Sequence, residues 1–204
     1  MGIFGRPTVK EQQQKVREDA ILDATHELLA RKGYDLMTVD EVAAEAGIAK
    51  ASLYKHFDSK ESLAAVAMIR LLDRALTFLG ELPADMPPQE KLRAVLNWAL
   101  DLRLRGGLPL LPSTSQTLQR NLLSNRQYVT RLLNLNEQMS ALVRAAQAQG
   151  VIDAGVPVEV VLFSIYARTC DPAVEYLKMT GNYSDREIAD YLVRVAFYGI
   201  TTRS

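Results

Sequence analysis

The chain has 204 residues, 24 Lys and Arg against 24 Asp and Glu, and 48% hydrophobic residues. That length and apolar content support a real core in one large domain, or in a small one followed by a larger one. The single cysteine, Cys170, excludes an internal disulfide framework and suits a reducing cytoplasm. The start, MGIFGRPTVK, has no apolar run of signal-peptide length, and no stretch of about 18 apolar residues exists to cross a membrane. A cytoplasmic protein is therefore expected.

Residues 1 to 9 read as a flexible basic arm. Gly5-Arg6-Pro7 can place Arg6 in a DNA minor groove, and a disordered tail is the simpler alternative. From Met1 to Arg17, four bases (Arg6, Lys10, Lys15, Arg17) face one acid, Glu11. The first helix is predicted from about Lys10 to Arg31, with Val16, Ala20, Ile21, Ala24 and Leu28 as its apolar stripe and Lys32-Gly33-Tyr34 as its end. His26 lies within it as a structural histidine.

Thr38-x-x-Glu41 is a capping box, and Val39, Val42, Ala43 and Ala46 follow at helical spacing. Gly47 ends this short helix in the left-handed conformation, Ile48 and Ala49 make the turn, and a second short helix runs from about Lys50 to His56. Leu53 and Phe57 point inward together. Two short helices on a tight turn form a helix-turn-helix, whose second helix can enter a major groove. Lys50 and Ser52 suit base edges, Ala51 allows close approach, and Tyr54, Lys55, His56 and Lys60 can donate to phosphates. An ordinary helical hairpin with a solvated face has the same spacing.

Asp58-x-x-Glu61 signals the start of a longer helix, from about Ser59 to Leu79, roughly 30 Å in length at about 1.5 Å per residue. Pro83, Pro87 and Pro88 impose a loop from Glu81 to Pro88. Further helices are predicted over Glu90–Arg105, Gln116–Leu123 and Asn125–Gln149, with a loop through LPLLPSTSQ. A helix from Pro157 to about Met179 is apolar nearly all round and interrupted at Asp171-Pro172, where a kink is expected. Ser184-x-x-Glu187 caps a last helix that has little polar face. Such a helix needs burial on more than one side, and a second subunit supplies it most simply.

No spacing of His, Cys, Asp or Glu fits a metal, and no nucleotide or hydrolase motif is present, so neither catalysis nor a cofactor is expected. Trp98, Leu102, Tyr128, Leu132, Met139, Phe163 and Tyr166 could line an effector pocket between the middle helices, although any one of the aromatics is more often simple core. Arg168 in its apolar helix needs a partner; Asp171, three residues on, supplies one, and an anchor for an anionic effector is the alternative. Cys170 has no flanking base that would make it a redox sensor.

The stretch T-V-D-E-V-A-A-E-A-G-I-x-K-x-x-L-Y-x-H-F-x-S-K-E-x-L, Thr38 to Leu63, closely resembles the signature of the TetR family of bacterial transcriptional regulators, more loosely back to Ile21. The resemblance implies an all-α protein with a three-helix DNA-binding domain (1–58) and a larger helical bundle for ligand binding and dimerisation (59–204). It implies backbone contacts from Thr38, Tyr54, His56 and Lys60. It puts Lys50, Ala51, Ser52 and Lys55 at or beside the positions that read bases. Many members carry Ser where this chain has Ala49, and a missing cap costs about 0.5–2 kcal/mol. The last two helices would form the homodimer interface. The dimer would bind a palindromic double-stranded operator in adjacent major grooves about 34 Å apart, and a small-molecule effector would release it. A helical binding protein that does not act on DNA, or an enzyme on an unlisted motif, are the readings this must displace.

Overall fold

A computed structural model describes residues 8–109 and 115–200. Arg6 and most of the basic arm lie outside the described residues. Among the described residues every regular element is a helix: α1 (Val9–Leu36), α2 (Val39–Glu45), α3 (Lys50–Leu53), α4 (Lys60–Glu81), α5 (Pro88–Leu104), α6 (Gln116–Ser124), α7 (Arg126–Ala148), α8 (Val158–Thr169), α9 (Ala173–Thr180) and α10 (Asp185–Tyr198).

The first helix starts earlier than its apolar stripe suggests. Thr8 accepts from the Glu11 N–H at 3.3 Å while the Glu11 carboxylate accepts from the Thr8 N–H at 2.7 Å, a capping box that draws Thr8 and Val9 out of the expected arm. Gly33, at φ 74° and ψ 171°, breaks helical geometry where the end was predicted, and one further turn then reaches Leu36. α4 begins at a Ser59 cap, not at Asp58, with the Ser62 N–H donating to Ser59 Oγ at 3.0 Å. α5 begins at Pro88, which sits at the first helical position, where the missing N–H has no helical acceptor to lose.

The expected kink at Asp171-Pro172 is a full break. Pro172 cannot continue the ladder, and at the head of the next helix Asp171 Oδ1 accepts from the Ala173 N–H at 2.9 Å. That bond, and then Arg168, hold the Asp171 carboxyl below its ordinary range.

α4 is shared by two layers. It packs on α1 at one side and on α7, α6 and α5 at the other. Leu63, Ala64 and Ala67 are fully buried along it, as are Ile21 and Leu28 of α1 and Leu92, Leu96, Leu100 and Met139 of the bundle. Two polar ties reinforce the α1–α4 contact. Buried His26 donates through Nε2 to the Ala67 carbonyl at 2.7 Å, and Arg70 pairs with Asp23 at 3.2 Å while donating to the Asp19 carbonyl. α5 is locked to α8 and α9 by buried Arg103, which donates to both Glu175 carboxylate oxygens and to the Thr169 carbonyl.

Candidate DNA-binding face and ligand cavity

The helix-turn-helix forms as its residues dictate. Thr38 caps α2: its side chain accepts from the Glu41 N–H at 3.2 Å and the Glu41 carboxylate accepts from the Thr38 N–H at 3.1 Å. Lys32 of α1 also pairs with Glu41 and, ahead of Thr38, holds its carboxyl low. Gly47 takes φ 67° in the turn, and the Ile48 N–H returns to the Ala43 carbonyl at 2.9 Å. Ala49 precedes α3 with no side-chain cap. α3 has only four α-helical residues, but helical turns carry it to Phe57, whose N–H donates to the Leu53 carbonyl at 3.0 Å. Leu53 and Phe57 are buried and anchor the element from beneath.

That anchoring leaves Lys50, Ala51, Tyr54 and Lys55 exposed, with Ser52 and His56 half-buried beside them. Thr38 is exposed at the start of α2. Lys50 is not free: Nζ pairs with Asp40 Oδ2 at 2.9 Å, which raises its pKa. Lys60, half-buried at the head of α4, lies 4.4 Å from the centre of the Tyr34 ring and donates to the Asp35 carbonyl at 3.4 Å. Tyr34 is buried with its hydroxyl on Glu61 at 2.9 Å; burial, then that bond, push its pKa far up. Lys50 and Lys60 thus each have a partner within the protein.

A cavity of about 160 Å³ opens between α4, α5, α7 and α8. Its wall is apolar nearly throughout, with Met68, Leu72, Leu96 and Ile165 among its members, and four of the seven predicted pocket residues line it: Trp98, Tyr128, Leu132 and Tyr166. Trp98 stacks on Phe78 with ring centres 5.4 Å apart. Tyr166 donates to Asn136 Oδ1 at 3.0 Å, and burial raises its pKa. The other three lie elsewhere. Met139 is wholly buried core, Leu102 is half-buried on α5 off the cavity wall, and Phe163 is 61% exposed on the outer face of α8, meeting only the edge of Tyr166. A helix that is apolar nearly all round does not show in its sequence which side faces inward; the inward face of α8 is Leu162, Ile165 and Tyr166. Cys170 is half-buried and lines the cavity, which sequence reading did not assign to it. Arg168 pairs with Asp171 at 2.7 Å, the partner expected of it, although α8 ends at Thr169 and the pair spans the helix end.

No group of three or more His, Cys, Asp or Glu that could hold a metal exists among the described residues. No described helix is long and apolar enough to cross a membrane.

Comparison with known proteins supports this arrangement. Residues 21–67 match the model of the bacterial regulatory proteins of the tetR family. The chain is 28% identical to the HTH-type transcriptional regulator YdeS of Bacillus subtilis, over 91% of this chain and 90% of that one. It is 50% identical to the biofilm operon icaADBC negative transcriptional regulator IcaR of Staphylococcus aureus, over 22% of this chain and a quarter of IcaR. Among solved structures, AibR in complex with isovaleryl coenzyme A and operator DNA superposes with a TM-score of 0.63 at 24% identity, covering 89% of this chain and 98% of that one. Residues 21–67 thus carry the helix-turn-helix domain of the tetR family of bacterial regulatory proteins, and the all-helical fold is shared with solved regulators over nearly the whole length of the chain.

Proposed function

We propose that this protein is a ligand-responsive repressor that acts in the cytoplasm as a homodimer on a palindromic DNA operator and is released by a small molecule held in the α4–α5–α7–α8 cavity. The observation that carries the reading is the coupling of two sites through one element. α4 begins with Lys60 beside the recognition helix and continues to Met68, Leu72 and Ala75 in the cavity wall. IcaR is named as a negative regulator, and AibR is described with both an acyl-coenzyme A and operator DNA, which favours repression and an effector with an acyl part.

In this reading Lys50 and Ser52 meet base edges across a close approach at Ala51, and Thr38, Tyr54, Lys55, His56 and Lys60 hold the phosphates. Residues 1–58 form the DNA-binding unit, and 59–204 the ligand and dimer unit, with α4 belonging structurally to both. Dimerisation uses the outer faces of α8 and α10, where Val160, Phe163, Tyr191 and Tyr198 stand 41–61% exposed in the single chain. An effector shifts the equilibrium between spacings of the two recognition helices by its differential affinity for them.

Selection of bound duplexes from a random library by the purified protein tests this directly. An enriched palindrome is expected. No enrichment, with and without cell extract, would overturn it.

A further inference from the structure

Two polar groups on residues that line the cavity make no hydrogen bond among the described residues: the Trp98 indole N–H and the Tyr128 hydroxyl. Tyr128 is 6% exposed and lines the cavity, its backbone N–H is taken by the Asn125 cap, and its hydroxyl makes no hydrogen bond among the described residues. The neighbouring hydroxyls are committed within the protein. The Tyr166 hydroxyl donates to Asn136, and the Thr169 hydroxyl donates to the Tyr166 carbonyl at 2.7 Å. Among the described residues no Lys, Arg, His, Asp or Glu lines the cavity, and the arginines of the flanking helices, Arg103 and Arg168, are engaged by Glu175 and Asp171. A hydroxyl with no protein partner, on a residue that lines an apolar cavity, is available to hydrogen-bond what the cavity takes.

We propose that the cavity accepts a compact, uncharged molecule, apolar over most of its surface, whose one carbonyl oxygen (ketone, ester or thioester) accepts the hydrogen of the Tyr128 hydroxyl. The inference rests on the reading of this cavity as the effector site and names the chemistry of its occupant. Size follows from volume: an apolar cavity of about 150 Å³ holds benzene, so about 160 Å³ suits a ring or branched chain of roughly six to eight carbons. Charge follows from the wall. A carboxylate would shed its water and find no cation among the lining residues. The direction of the bond follows from burial, which raises the Tyr128 pKa and keeps its hydroxyl protonated as a donor.

Trp98 is the only tryptophan and lines the same cavity, so its indole N–H gives one reporter resonance in the ¹⁵N-labelled full-length protein. Three probes of similar size separate the terms: cyclohexanone, methylenecyclohexane and cyclopentanecarboxylate. Cyclohexanone and methylenecyclohexane are expected to shift the resonance saturably, and the carboxylate to bind more weakly than the ketone. Tyr128→Phe should weaken cyclohexanone roughly three- to tenfold, the worth of one neutral hydrogen bond, and leave methylenecyclohexane unchanged or tighter. Retained hydrocarbon binding also shows that the variant cavity is intact. A carboxylate bound as tightly as the ketone, or a Tyr128→Phe effect equal on both neutral probes, would overturn the assignment and leave the cavity as a ligand site. If none of the three moves the indole, the effector reading of the cavity falls as well.

Discussion

Glu175→Ala should destabilise the protein far more than its exposed position suggests. The Arg103 side chain is 6% exposed and donates to Glu175 at 2.8, 2.9 and 3.2 Å and to the Thr169 carbonyl at 2.8 Å. Without the carboxylate, the guanidinium keeps a single carbonyl acceptor in a site that water reaches poorly. Breaking a fully buried pair by removing one partner costs about 3–5 kcal/mol. Here the Glu175 side chain is 56% exposed, so solvent screening cuts that to about 2 kcal/mol. At roughly 2–4 °C per kcal/mol for a chain of this size, Tm should fall by about 4–8 °C, measured at fixed protein concentration because dimerisation adds to apparent stability. Arg103→Met in the Glu175→Ala background should recover a large part of the loss, since a buried apolar chain replaces an unpaired charge. A Glu175→Ala cost below about 0.5 kcal/mol, or strictly additive losses in the double variant, would refute the claim that this pair ties α5 to α8 and α9.

Three further outcomes follow from other contacts. Burial lowers the His26 pKa below its ordinary 6.5, and the folded state therefore holds the ring neutral; the unfolded chain takes up the proton first as pH falls, so stability present above about pH 6.5 declines below it. Urea midpoints between pH 7.5 and 5.5 should show that slope, and His26→Gln should flatten it. Tyr54→Phe and Lys60→Ala should each weaken binding to the selected operator with little change in sequence preference, and Lys60→Ala should reduce the dependence of log K on log salt by about 0.9; unchanged affinity in both would remove the DNA-binding role of this face. Phe163→Lys, on the outer face of α8, should shift sedimentation from dimer to monomer without lowering the helical content of the chain.

The elements whose local signals were complete in the sequence were legible there. Thr38-x-x-Glu41, Gly47 and Ser184-x-x-Glu187 each contain both halves of a cap or a residue that suits positive φ, and each acts as predicted. Errors arose where a tertiary partner decides. Glu61 looked like half of an N-terminal cap, but it is claimed by Tyr34 from α1, and Ser59 caps α4 instead. Arg168 drew attention because its neighbours are apolar, yet the buried arginine is Arg103, whose partner lies 72 residues away. Nothing local to Arg103 marks it. Phe163 was placed inward because α8 is apolar all round, a pattern that carries no information on which side faces the same subunit. The geometry of the helix-turn-helix was readable because its anchors, Leu53 and Phe57, and its solvent-facing residues lie within one short segment. The cavity was half-readable because four helices build it.

The size of the cavity limits how strongly an occupant could control the operator. Small ligands gain at best about 1.5 kcal/mol per heavy atom, and only the part of that gain that differs between the two spacings shifts their balance. A coupling of about 1–3 kcal/mol per site moves an equilibrium roughly 5- to 150-fold. Reversal from 1:99 to 99:1 needs about 5.5 kcal/mol, beyond that range for one cavity. Two cavities acting on one operator-bound dimer reach it at the top of that range. The symmetry that suits a palindrome thus also lets a compact ligand act as a switch, and it predicts that repressor with one cavity blocked retains intermediate operator affinity. A covalently linked dimer with Trp98→Ala and Tyr128→Phe in one half would check this. Full release by a single occupied cavity would place the control elsewhere than in the summed affinity of two small sites.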